Sequence, residues 1–236
     1  SAIEGAILDK INPVIVPICN ALVDPWLDEL DTNRFVVGSN TSSTDPVVAF
    51  VIESDMQKKV YFTESFFDQQ LDSYKFNLTE PFDVDGHARA ATLIHEFSHH
   101  FAKTIDIAYL ESRRPFSDLI ATITPFAVTL KKEHEQLQRE ALSMATPREE
   151  LFALWNDVMS SWESLDSIPA TAHIGKEIKK ITGTQSMSDA RSAFLDRVKP
   201  DLRIDTILRN ADSIARLICE MGRQLDPVLV TPTTSP

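Results

Sequence analysis

The sequence predicts an α+β fold, predominantly helical, with a small N-terminal β-hairpin or sheet and a helical C-terminal half. Two observations carry this prediction. Short runs of β-branched and aromatic residues, set off by turn formers, are confined to the first third. From Asp85 onward, apolar residues recur at helical spacing between recognisable caps. The 236 residues suffice to bury a proper core and read as one domain over 1–225. Within it lie a mixed lobe over 1–83 and a helical lobe over 84–225. Residues 226–236, ending in Thr-Pro-Thr-Thr-Ser-Pro, read as a disordered tail or linker.

Residues 2–11 and 18–30 read as helices parted by Pro13 and Pro17, since proline removes an N–H and clashes with the preceding turn. Strands are predicted at 34–37, 47–53 and 59–62, the last two forming a hairpin across a short polar turn. Residues 38–44 read as a surface loop. A long helix starts at Asp83 or Asp85 as N-cap. Thr124 precedes a helix with Pro125 at its first position, running to about Ala145. Its stripe of Phe126, Leu130, Leu137, Ala141 and Met144 places His134 on an apolar face, as a core residue rather than a ligand. Thr146-Pro147-Arg148-Glu149 reads as a capping box opening a helix to about Leu165. Ser186 caps a helix that stops before Pro200, and 204–221 forms the last one, with Gly222 at its end.

A net charge of −12 argues against nucleic acid and against anionic membrane surfaces. It is compatible with a basic or Lys-rich polypeptide partner. No apolar run is long enough to span a bilayer. The chain starts with neither a signal peptide nor an initiator Met, so it is expected to be part of a longer polypeptide. Cys19 and Cys219 lack metal-ligand spacing and are expected to be buried free thiols. No G-x-S-x-G occurs, and neither Cys has a nearby His in sequence.

The chemistry concentrates in His95-Glu96-Phe97-Ser98-His99, an H-E-x-x-H motif. Residues four apart lie one above the other on a helix, so His95 and His99 can grip one Zn²⁺. Glu96 lies beside them, where it can take the proton of a water as general base. Two His and one carboxylate leave a fourth position open, which distinguishes a catalytic zinc site from a structural one. The alternative is a buried helix with two ordinary histidines. His100 points about 100° away and is expected to support the site or face solvent.

Several residues offer a third ligand. Glu133, Glu135 and Glu140 lie on a later helix, as in thermolysin-like sites, and Glu133 is a candidate second-layer acceptor for His95 or His99. The local acidic candidate is Asp106. A straight helix from His99 to Asp106 would rise about 10 Å, so sharing a metal requires a turn near Ala102–Thr104.

Thr104-Ile105-Asp106-Ile107-Ala108-Tyr109 reads T-x-D-x-x-Y. With H-E-x-x-H it resembles the aspzincin metallopeptidases, the deuterolysin and peptidyl-Lys metalloendopeptidase group, whose pattern is G-T-x-D-x-x-Y-G. Lys59–Phe67 also looks like that family's strand leading into a short helix. The likeness spans about residues 58–110, with Lys103 and Leu110 where the family has glycine. It implies a zincin-like fold, Asp106 as third zinc ligand and Tyr109 as donor to the oxyanion. The expected function is thus a zinc-dependent endopeptidase with an edge strand to hold its substrate. The long helical half looks more like a peptidase domain of a large bacterial toxin or secreted effector. The competing expectation is a non-catalytic helical interaction module with a degenerate motif.

Overall fold

The computed structural model describes residues 2–23, 34–39 and 47–229. It has the predicted α+β character. A three-stranded mixed sheet near the N-terminus is followed by a largely helical remainder. The sheet comprises β1 (Phe35–Val37), β2 (Ala49–Val51) and β3 (Val60–Phe62), in the order β1-β3-β2. β2 and β3 form the predicted antiparallel hairpin, with Phe50 opposite Tyr61. β1 joins β3 in parallel. Val60 and Phe62 point inward while Phe50 and Tyr61 stack on the other face, the alternation a half-buried sheet requires.

Helix α1 (Ala2–Val23) departs from expectation. It runs unbroken through Pro13 and Pro17, where two helices were predicted. Each proline forfeits one backbone bond, at a cost of roughly 3 kcal/mol. Ile15, Ile18 and Ala21 offset this by burying against the core. Pro13 is exposed, so water can reach the carbonyls left unpaired. The second half of the predicted 18–30 helix and most of the 38–44 loop lie outside the described residues.

After the short α2 (Asp72–Lys75), α3 (Val84–Ala102) forms the centre of the molecule. Asp83 caps it by accepting from the Gly86 backbone N–H at 2.9 Å. A Cβ at position 86 would fall 2.2 Å from that carboxylate, so a larger residue there would push the Asp83 side chain from its capping position. α3 packs chiefly on α8 (Ala211–Leu229) and α1. Its Ile94 and Phe97 join Ile18, Phe62 and Ile214 in one apolar core.

α4 (Pro125–Glu140) starts at the predicted Thr124 cap but ends earlier than expected. Phe126 and Met144 are exposed, and Ala127 and His134 form the buried face instead. The predicted helix over 147–165 is absent. The Thr146 hydroxyl accepts from the preceding Ser143 N–H and so is turned back toward the preceding turn. The chain turns through Phe152 at φ 61° and forms a hairpin of β4 (Ala153–Asn156) and β5 (Ser161–Ser164). Trp155 and Trp162 face each other across it, the kind of aromatic pair that favours strands over helix. Arg191 fixes the hairpin's base by donating to the Leu151 carbonyl at 2.7 Å.

α5 (Ala172–Thr182) and α6 (Met187–Leu195) follow, the latter capped by Ser186 as predicted. The single helix expected over 204–221 is two: α7 (Pro200–Leu208) and α8, separated at Arg209 and Asn210. Gly222 lies inside α8 rather than at its end. Residues 226–229, assigned above to the tail, belong to α8, and 230–236 lie outside the described residues. Both cysteines are free, but Cys19 is exposed and Cys219 only half-buried. No described helix is long and apolar enough to cross a membrane.

His134 is fully enclosed, edge-on to Tyr74 and hydrogen-bonded through Nε2 to the Gln138 amide at 2.9 Å. Burial, then the Arg114 and Arg216 guanidiniums, push its pKa from 6.5 down to about 4. The unfolded chain therefore binds the extra proton between these values. This group's stability is complete above 6.5 and is lost as pH falls toward 4. From pH 7 to pH 5 the fold should lose about 2 kcal/mol through His134. Urea denaturation at both values should show that loss in the wild type and a smaller one in His134→Gln. Equal pH dependence in the two proteins would contradict a neutral buried imidazole.

Candidate metal centre

Helix α3 presents His95 and His99 one turn apart, with their rings edge-to-face at 5.0 Å. The helix then has to stop, because a straight continuation would carry the chain away from both rings. It ends at Ala102, and Lys103 takes the left-handed conformation (φ 54°, ψ 39°) in which glycine is usual. Ser98 stabilises the turn: its carbonyl accepts from the Lys103 and Thr104 N–H groups, and its hydroxyl meets the Thr104 hydroxyl at 2.5 Å.

The returning chain brings Asp106 to the two histidines. Its Oδ1 lies 3.0 Å from His95 Nε2 and 3.5 Å from His99 Nε2. One donor atom from each of the three residues falls within 4.8 Å of the others. Three ligands about 2.0–2.2 Å from one tetrahedral zinc lie about 3.4 Å apart, so these spacings suit it. Asp106 Oδ1 is buried yet receives no well-directed hydrogen bond. Ligand atoms aimed at a common point have this geometry, which fits a candidate cation site.

The outer nitrogens support the same assignment. His99 Nδ1 faces the Thr104 carbonyl at 2.8 Å, and since a carbonyl only accepts, the proton sits on Nδ1. That leaves Nε2 as the nitrogen turned toward Asp106. His95 Nδ1 faces Asp212 Oδ1 at 3.5 Å, with the same consequence. Burial lowers the His95 pKa, but Asp106 and Asp212 more than reverse this and lift it to about 10. The pocket thus favours a positive charge at this point. Burial likewise opposes ionisation of Asp106, yet the two imidazoles hold it well below the usual carboxylate range.

Glu96, on the same helix, is buried and lines the cleft over the cluster. Burial pushes its carboxyl up, His95 and His99 pull it down, and Asp106 pushes it up again; the net shift is upward. A carboxylate tuned upward is a better proton acceptor near neutral pH. Tyr109 stands across the cleft with its ring parallel to that of His95, the centroids 6.1 Å apart. Although the residue is 56% exposed, partial desolvation, followed by the Asp106 and Glu96 charges, raises its pKa, so the hydroxyl stays protonated and can donate.

The cleft has a volume of about 570 Å³. One wall is the edge strand β2 with its flanks, from Val47 to Glu53, and the other carries Glu111, Arg113 and His173.

His95, Glu96, His99, Asp106 and Tyr109 therefore meet in one place. Glu133, Glu135 and Glu140 do not join them: among the described residues, the cluster contains no Glu from α4. The thermolysin-like ligand set and the Glu133 support role are thus not borne out. His100 instead donates from Nε2 to the Lys59 carbonyl at 2.9 Å, tying α3 to the strand beside the cleft. Burial, followed by Asp212, raises the Cys219 thiol to about 11, which makes it a poor nucleophile.

Sequence reasoning missed the groups that hold the site. The Asn210 side chain accepts from the Ile107 and Ala108 N–H groups and donates to the Ala108 carbonyl. Asp212 accepts from Leu110 N–H, Ser112 N–H and the Ser112 hydroxyl. Both sit a hundred or more residues from these partners in sequence, where no local pattern points to them.

The cluster is a generic H-E-x-x-H-type candidate zinc site of the metallopeptidase kind. No protein-family model, curated protein or solved structure matches the chain. Zinc titration should give about one ion per chain, weakened strongly by Asp106→Ala and unaffected by Glu133→Ala or Glu135→Ala. Isothermal titration calorimetry of the three variants checks this, and zinc loss in either Glu variant would reject the ligand set.

Proposed function

We propose that this protein is a zinc-dependent endopeptidase of aspzincin type. The observation carrying this reading is that His95, His99 and the orphaned Asp106 oxygen converge beneath a cleft also lined by Glu96 and Tyr109. Bound there, zinc supplies Lewis acidity, lowering the pKa of a water toward neutrality and polarising a scissile carbonyl.

The chain's own groups do the rest. Glu96 accepts the proton of the attacking water and passes it to the leaving amine. The Tyr109 hydroxyl, kept protonated, donates to the oxyanion that develops on the scissile carbonyl. β2 has an unpaired edge among the described strands and can align an extended peptide through backbone hydrogen bonds. Glu53 on the cleft wall, with a net charge of −12, favours basic or Lys-rich polypeptides, while Glu111 is paired with Arg113 and Arg114. The resemblance to toxin and effector peptidase domains supports a secreted or delivered protein, cut from a longer chain.

Glu96→Gln keeps the size of the side chain but cannot accept the proton. Cleavage of a peptide library should fall by about 10²–10⁴-fold while zinc content stays at the wild-type level. Tyr109→Phe should lower kcat by about 10²-fold with little change in KM. Full proteolysis by Glu96→Gln would reject Glu96 as the base, and no cleavage by zinc-loaded wild type would favour a non-catalytic interaction module instead.

A further inference from the structure

Asp212 is the first acidic residue of α8 and is 4% exposed. A buried carboxylate is costly unless its lone pairs are all engaged. Those of Asp212 are, and the division between the two oxygens is informative. Oδ2 accepts two backbone N–H groups, from Leu110 at 2.6 Å and Ser112 at 3.2 Å. Oδ1 accepts the Ser112 hydroxyl and faces His95 Nδ1 at 3.5 Å. One oxygen holds the loop that carries Tyr109, and the other faces the ring of His95.

We propose that Asp212 is a positioning residue that places the His95 proton on Nδ1 and thereby frees Nε2 for the metal. This rests on the zinc reading above and adds a residue to it. A carboxylate has no proton to give at neutral pH, so the imidazole nitrogen facing it must be the donor. His95 has one proton to place when neutral, and Asp212 takes it away from the cluster. The same side chain fixes residues 110–112, so ligand tautomer and loop position are set together.

The geometry makes one substitution diagnostic. In Asp212→Asn the two backbone N–H groups can be met only by the amide oxygen. That oxygen must therefore take the Oδ2 place, and the NH₂ group is forced into the Oδ1 place. There it donates to His95 Nδ1, which must now carry the lone pair. The proton moves to Nε2, the atom turned toward Asp106. The two backbone bonds to the loop survive, so the fold has no reason to change.

The test uses the full chain and zinc alone. Long-range ¹⁵N–¹H NMR reads the His95 tautomer without metal, above the raised pKa of about 10, where the ring is neutral. Competition with a chromophoric chelator reads zinc affinity. Wild type should carry the proton on Nδ1. Asp212→Asn should carry it on Nε2 and bind zinc about 10–100-fold more weakly, with an unchanged circular dichroism spectrum. Ser112→Ala removes a donor to the same oxygen but leaves the His95 acceptor in place, so its proton should stay on Nδ1. A proton on Nε2 in the wild type overturns the inference even if the Asn variant does not fold. So does wild-type zinc affinity with an unmoved proton in Asp212→Asn. If the wild type binds no zinc yet shows the expected tautomers, the zinc reading fails and the positioning role stands.

Discussion

The hydrogen bonds from the Asn210 side chain to the backbone at Ile107 and Ala108 set the geometry on which the rest of the site depends. A helix can supply two ligands to a metal, four residues apart on one face. It cannot supply a third from further along, because each residue advances the axis by about 1.5 Å. The chain beyond His99 must reverse and be held. Lys103 provides the reversal in a left-handed conformation that costs a non-glycine residue of order 1 kcal/mol. The holding comes from the α7–α8 junction. There Ile105 N–H donates to the Arg209 carbonyl, Ala211 N–H donates to the Ile105 carbonyl, and Asn210 clamps the next two residues.

This arrangement explains why a polar network is tolerated beside an apolar core. Ser98, Thr104, Asn210 and Asp212 are all buried, and each has identified hydrogen-bond partners. A buried polar group without a partner costs about 1–3 kcal/mol, so a half-satisfied network would be worse than an apolar one. The exception is Asp106 Oδ1, buried and without a directed bond. That oxygen lies between the two imidazoles, at the point where a metal ion would complete the candidate cluster.

Much of the site was legible in the sequence because its information is local. His95, Glu96 and His99 share a helix whose cap, Asp83, is three residues from the N–H it binds. Asp106 and Tyr109 follow within one short pattern. The β2–β3 hairpin and the Ser186 cap are local in the same sense. The misreadings have a different cause. Pro13 and Pro17 argue for a break, but burial of Ile15 and Ile18 outweighs the local penalty. Thr146-Pro147-Arg148-Glu149 is a sound capping box until Thr146 is seen bonding backward to Ser143. The Trp155–Trp162 pairing that makes 153–164 a hairpin depends on which residues meet across the turn, which helical spacing alone does not reveal. Asn210 and Asp212 were invisible for the strongest reason, since their partners lie about a hundred residues upstream.

The division of one predicted helix into α7 and α8 ties these points together. An uninterrupted helix over 204–221 would be locally favourable, and Asn and Asp are only mildly unfavourable within one. Breaking it creates a new helix end with unpaired N–H groups and a new C-terminal set of carbonyls. That loss is compensated only because the freed groups find the returning chain: the Arg209 carbonyl and Ala211 N–H both bond to Ile105. The Asn210 side chain, at the break, and that of Asp212, in the first turn of α8, reach the backbone of residues 107–112. The break and the loop are therefore stable together and neither is stable alone. His95 and His99 follow from α3 by themselves, whereas the third donor and the Tyr109 wall exist only once the last helix has docked. The candidate centre is in this sense a product of the completed fold, assembled from a motif that the sequence states openly and a clamp that only tertiary structure provides.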